Sequence, residues 1–275
     1  MKLQTKAGFM KEILALFRTK KFLILSLVLL GLGMLSPLML FALDSILSIY
    51  DTVGIDMSDL AGGMTSTSST GVFSSVGDIT GIGLIVFLLL INRAAGGEQK
   101  KRAVIIPRSA GLRSFGYIFP KFIIYPLTAF VLTIATLFVS WGFSALLFDT
   151  DNLTFTKVLT AGILTGVCMM FYVCFHIALG TATGKAGMSA AVCIGASLIL
   201  PSIFALTSED YMFNPFALEN LAGSVIMRPH LSGGEVRDII VTIAFALALM
   251  VLAYLIALFA QNAKKIDNTG NEIEL

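Results

Sequence analysis

The sequence predicts an all-α polytopic membrane protein: six transmembrane helices, an interfacial helix before them, and both termini on the cytoplasmic side. Three observations predict it. Of 275 residues, 56% are hydrophobic and only 13% charged, against roughly 25% charged in soluble domains. The apolar residues are gathered into six blocks. The segments between the blocks alternate in charge: Lys and Arg in the N-terminus, the second and fourth connections and the C-terminus, Asp and Glu in the first, third and fifth connections.

The first element is residues 1–21. Leu3, Ala7, Met10, Ile13, Leu14 and Phe17 recur at three- and four-residue spacing, and Lys2, Lys6, Lys11 and Arg18 fill much of the remainder. This pattern predicts an amphipathic helix in the cytoplasmic interface. The plain alternative is a basic tail that only obeys the positive-inside rule.

Six runs lack Asp, Glu, Lys and Arg: 22–43, 79–92, 122–148, 158–184, 186–208 and 239–263. A spanning helix needs about 20 apolar residues, so five of them cross unaided. The first exceeds a signal-peptide core of about 7–15 residues and is read as retained. The run 79–92 is short enough to be re-entrant, but charge on its flanks demands a crossing. Extended back through Val72, Phe73 and Val76, it crosses with Asp78 towards the outer end. The spans are placed at about 22–43, 72–93, 117–148, 157–183, 187–207 and 238–260 within a single domain, 1–275.

Orientation follows from charge. Sixteen of the nineteen Lys and Arg fall on one side, and only Lys157, Arg228 and Arg237 on the other. Lys and Arg mark the cytoplasmic side. Topology thus accounts for the basic residues, and the net charge of +2 implies no nucleic acid.

The first outer loop begins at Asp44 and carries Asp51, Asp56 and Asp59 before a Gly/Ser/Thr-rich stretch. It reads as a solvated loop, or one that attracts cations. The inner loop 94–116 belongs to the densest cationic stretch, 93–121, with seven of the sixteen inner positive charges. Within it, 98–106 has the makings of a short helix stopped by Pro107. Pro126 and Pro201 are expected to kink the third and fifth spans. The turn between the fourth and fifth spans is rich in Gly, Ala and Ser, which suits close helix approach. The fifth connection, 209–237, is half apolar. Its residues Asn214, Pro215, Phe216, Leu218 and Leu221 form a short amphipathic or re-entrant helix dipping towards the outer leaflet.

Two ATPase-like strings are coincidental. Residues 231–235, Leu-Ser-Gly-Gly-Glu, match a cassette ATPase signature, and 180–186 approach a phosphate loop. The second is one residue short and ends in Ala186, where a phosphate loop needs a hydroxyl. The two lie on opposite sides of the membrane, and Ser232 with Glu235 reads as a capping box opening the last helix. Cys168, Cys174 and Cys193 all fall in spans and read as apolar packers. His176 and His230 have no second ligand at metal-binding spacing. His176, in a span, reads as a hydrogen bonder between helices. No span is expected to contain the Asp, Glu or Arg of an ion-coupled carrier, which argues against secondary transport and against an intramembrane protease.

The cytoplasmic loop reads as a docking surface, with Val104, Ile105 and Ile106 for an apolar groove and basic residues at its rim. Glu98, Pro107 and Lys121 stand in the order acidic residue, proline, lysine. Asn214-Pro215 opens the outer segment. In these motifs, and in its order of parts along nearly the whole chain, the sequence resembles the membrane subunits of type-2 ATP-binding-cassette (ABC) transporters. It departs from the family's Gly-Thr after the acidic residue, having Gln99-Lys100.

The resemblance implies a permease subunit, not itself an enzyme. It implies a dimer with a second permease subunit, and two copies of a cytoplasmic ABC ATPase that binds the ATP and magnesium. This chain would bind no cofactor or metal. The coupling element is expected at Glu98, Lys100, Lys101, Arg102, Val104, Ile105, Ile106, Pro107, Arg108 and Arg113. The expected setting is a bacterial plasma membrane. The competing reading is a non-transporting anchor or sensor that docks a cytoplasmic partner through the same loop.

Overall fold

The computed structural model describes residues 2–52, 67–98, 114–148, 153–207, 213–263, 265–266 and 272–273. Among the described residues, six helices are long and apolar enough to cross a membrane, so the chain is an all-α multi-pass membrane protein.

Helix α1, Lys2–Arg18, precedes the spans. Lys20, with φ 57°, makes the corner into α2, Lys21–Thr52. The second span runs Ser68–Gly97. It comprises α3 (Ser68–Asp78), a π-helical turn (Ile79–Gly83), α4 (Leu84–Asn92) and a second π turn (Arg93–Gly97). Thr67 caps it, Oγ1 accepting from Thr70 N at 3.2 Å. Thirty residues rise roughly 45 Å, enough to cross a hydrocarbon core of about 30 Å. The segment is therefore long enough to cross.

One expectation needs correction here. Asp78 is the last residue of α3, a third of the way along the span. Ser36 Oγ donates to its Oδ2 at 2.5 Å. The second span therefore carries an acidic residue that the charge-free runs omit, and Ser36 supplies it with a donor.

Helix α5 spans Ser114–Leu147 and continues through Pro120 and Pro126. Helix α6, Phe155–Thr183, is capped by Thr154 and ends at Gly184 in the left-handed conformation, φ 68°. Helix α7 is Ala186–Thr207, running through Pro201. After a 3-10 turn at Pro215–Ala217 come α8, Leu218–Met227, and α9, Gly233–Ala263. The expected capping box opens α9: Glu235 N donates to Ser232 Oγ at 3.3 Å and Ser232 N to Glu235 Oε2 at 2.7 Å. Two-residue strands, β1 (Lys265–Ile266) and β2 (Glu272–Ile273), pair antiparallel near the C-terminus.

Helix α6 is the centre of the bundle, packing on α5, α7, α8 and α9. Its apolar window is 72% buried, against 22% in α7 and 28% in α9. The outer helices therefore present most of their apolar surface outward, as lipid requires. Small residues set the closest crossings. Gly180 of α6 lies against the Ala95 carbonyl, and Gly96 against the Gly180 carbonyl, leaving no room for a Cβ on either. The close approach expected between the fourth and fifth spans occurs, a Cβ on Gly180 meeting Ser189 Oγ at 3.0 Å, and a tighter one joins the fourth span to the second. Gly187, in the first turn of α7, faces open space. A second small-residue seam joins α3 to α5, where Ser75 and Ser140 hydroxyls meet at 2.6 Å. His176 links α6 to α7 through Nδ1 and Ser189 Oγ, 2.8 Å apart, the helix-to-helix hydrogen bond expected of it. The three cysteines are buried and free.

Candidate functional site

The polar chemistry where α1 and α5 meet the end of the second span is concentrated in one buried cluster. Glu98 follows the last residue of the second span, immediately before the basic stretch 99–113. Only 7% of it is exposed. Its Oε2 accepts from Lys121 Nζ at 2.8 Å, Lys11 Nζ at 2.9 Å and Tyr117 OH at 2.8 Å. Lys121, 1% exposed, spends its other two donors on the Ala94 carbonyl and Tyr117 OH, both at 2.9 Å. A second carboxylate, Glu12 of α1, accepts from Tyr125 OH at 2.9 Å. Its Oε1 lies 3.4 Å from Lys11 and 3.9 Å from Lys121. Two ammonium groups thus neutralise two carboxylates.

Local sequence explains each contribution. Tyr117, Lys121 and Tyr125 are four residues apart and lie on one face of α5. Helix α1 docks on that face because Gly8 allows contact with the Gly116 carbonyl and Pro120. Glu12 and Leu16 therefore turn inward. Met10, Ile13, Leu14 and Phe17, part of the expected apolar stripe, remain 40% to 57% exposed. Helix α1 is thus two-faced: one face docks on protein and the other is left for the interface.

Burial by itself would raise the Glu98 carboxyl. Lys121 and then Lys11 outweigh that and hold it at about 2. Glu98 is an anion that ties the start of the basic loop to α1 and α5.

Of the expected coupling residues, Glu98 faces inward, so it anchors the loop and does not form part of an exposed grip. Lys100, Lys101, Arg102, Val104, Ile105, Ile106, Pro107, Arg108 and Arg113 lie outside the described residues, as does the short helix expected over 98–106 beyond Glu98. Glu12 and Lys11 were not singled out by sequence reasoning. The available signal was that Glu12 is the one acidic residue in the first 21, opposite the apolar stripe.

The segment after α7 is a 3-10 turn, Pro215–Ala217, followed by α8. Asn214 Oδ1 accepts from Phe216 N at 3.0 Å, and Pro215 opens the turn. Pro215, Leu218 and Leu221 are buried, and Phe216 meets Phe171 edge-on at 5.6 Å. The segment folds back into the bundle against α6 and α3, with the Phe73 ring over Gly223. Burial raises the Glu219 carboxyl, opposed by a hydrogen bond with the Thr80 side chain.

The ATPase-like strings take other roles. Residues 180–186 are the end of α6, its left-handed cap and the start of α7, and residues 231–235 are the capping box. Among the described residues, no group of three or more His, Cys, Asp or Glu is arranged to hold a metal. No family model matches the chain, and no curated protein or solved structure matches it.

Proposed function

We propose that this chain is the membrane-spanning permease subunit of an ABC transporter of the exporter type. It resides in the plasma membrane and works as a dimer, energised by two copies of a cytoplasmic ATPase subunit that carries the ATP and magnesium. The observation that supports this reading best is the rooting of the basic loop. Glu98 joins its first residue to α1 through Lys11 and to α5 through Lys121. A partner that pushes on 99–113 moves three elements together. A loop that served only to mark topology would need no buried ion cluster at its base, because desolvating such groups costs several kcal/mol each.

The test is co-purification. The tagged chain should retain a subunit with complete Walker motifs and stimulate its ATPase. Charge reversal at Lys100, Lys101 and Arg102, or Ile105→Asp, should weaken association or uncouple hydrolysis from transport. Unchanged co-purification and unchanged stimulation in both variants would overturn the proposal.

A further inference from the structure

Beside the ion cluster lies a cavity of about 410 Å³ at the junction of α1, α2 and the end of the second span. Its polar lining includes Lys11, Glu12, Arg18, Lys21, Arg93 and Glu98. The charges do not balance. The two carboxylates are already engaged by Lys11, Lys121, Tyr117 and Tyr125. Arg18, Lys21 and Arg93 make no ion pair with a described residue. Lys21 feels Glu12 and Glu98 beyond ion-pair distance, and Arg93 opposes them, so three cations from α1, α2 and the second span face one space in which positive charge exceeds negative. Like charges brought together at the edge of a low-dielectric bundle repel one another. Helix-end electrostatics accounts for Arg18 and Arg93 singly, each near a helix C-terminus, but not for their convergence with Lys21, which opens α2.

We infer that this cavity binds a phosphate-bearing anion, and that the phosphate is the head group of an anionic phospholipid of the cytoplasmic leaflet. Arginine suits the task because its planar fork grips phosphate oxygens in pairs. The volume lies within the range of small-molecule sites, roughly 300–1,000 Å³, and leaves room for a glycerol beyond the phosphate. The cavity's setting favours a lipid over free phosphate. Leu14 lines the cavity and is itself 54% exposed. Phe17 on α1 and Leu23 and Leu27 on α2, exposed by 57%, 60% and 68%, give the two helices that line the cavity apolar side chains for acyl chains. Basic pockets between spans on the cytoplasmic side bind head groups in this manner. The inference rests on the membrane topology and is independent of the transporter reading.

The experiment uses the purified full-length chain, delipidated in neutral detergent and offered phosphatidylglycerol, phosphatidylcholine or millimolar inorganic phosphate. Native mass spectrometry reads bound lipid, and thermal unfolding reads stabilisation. Phosphatidylglycerol should be retained and should raise the melting temperature, whereas phosphatidylcholine should do neither. The double variant Arg18→Ala/Arg93→Ala should bind phosphatidylglycerol about thirtyfold more weakly, the effect of two lost basic contacts. Arg18→Lys/Arg93→Lys should recover most of it, which separates lost charge from lost fold. Lys185→Ala, on the α6–α7 turn, should behave as wild type. If phosphate stabilises as well as the lipid does, and needs the same arginines, the site takes the free anion and the lipid assignment is overturned. Equal retention of the two lipids, or undiminished binding by the double alanine variant, overturns the site altogether.

Discussion

Lys121 is the residue on which the buried ion cluster turns. Each of its three ammonium protons has an acceptor, and two carboxylates lie within 4 Å of it. Lys121→Met removes one partner of a buried pair, so Glu98 and Glu12 keep their charge with less to offset it. Such losses cost about 3–5 kcal/mol, and the variant should unfold at markedly lower temperature in detergent. Lys11 is 43% exposed, so Lys11→Ala should cost only about 0–1 kcal/mol. Equal losses would mean that burial is not what gives the cluster its weight. Glu98 adds a pH dependence. Its folded-state carboxyl is held at about 2, below the ordinary 4.5, so its contribution is complete above pH 4.5 and lost as pH falls towards 2. The shift corresponds to about 3 kcal/mol. The stability gap between wild type and Glu98→Gln should therefore close across that window, and a gap that stays constant would refute the ionic role.

At the level of helices, glycine positions separate contacts that determine the fold from those that merely accompany it. Gly180→Leu would drive a side chain into the Ala95 carbonyl, where backbone cannot yield. It should cost more than the 1–3 kcal/mol or so typical of overpacking and depress the yield of folded protein. Gly187→Ala meets nothing within 4 Å and should melt at or slightly above the wild-type temperature, because alanine favours the helix. The opening of α9 is a third case. Ser232→Ala removes one half of the capping box and should destabilise by about 1 kcal/mol. The two π turns of the second span have a different consequence: the second turn carries the chain to Glu98 with Ala94 directed at Lys121.

For the whole molecule, the decisive prediction is orientation. The native cysteines are buried, so single introduced cysteines report without background. His230→Cys should react with a membrane-impermeant maleimide in intact cells, and Lys185→Cys only after permeabilisation. The opposite pattern would invert the protein and detach the basic loop from any cytoplasmic partner. The same view of the bundle places α6 at its centre and leaves α7 and α9 broadly exposed. Their outward faces are apolar, as with Leu198 and Ile199 on α7 and Val251 and Phe259 on α9, so lipid or a second subunit can cover them without burying charge.

How far these features could be read in advance depends on the range over which their physics acts. Six spans were legible because transfer into lipid is nearly additive over about 20 consecutive residues. The capping box at Ser232 and the Asn214-Pro215 turn were legible for the same reason, each being local to three or four residues. Half of the cluster was visible as Tyr117, Lys121 and Tyr125 at helical spacing, and Glu12 stood alone among the basic residues of α1. Their meeting with Glu98 was not visible. Tyr125 reaches Glu12 across 113 positions, and Lys11 reaches Glu98 across 87. Gly180 likewise showed only that a close approach was possible, not that its partner was Ala95. Composition over a short window settles whether a helix enters the membrane. Which faces then meet depends on the packing of all six helices at once, and it was that packing which turned Glu98 from an expected surface contact into the buried anchor of the basic loop.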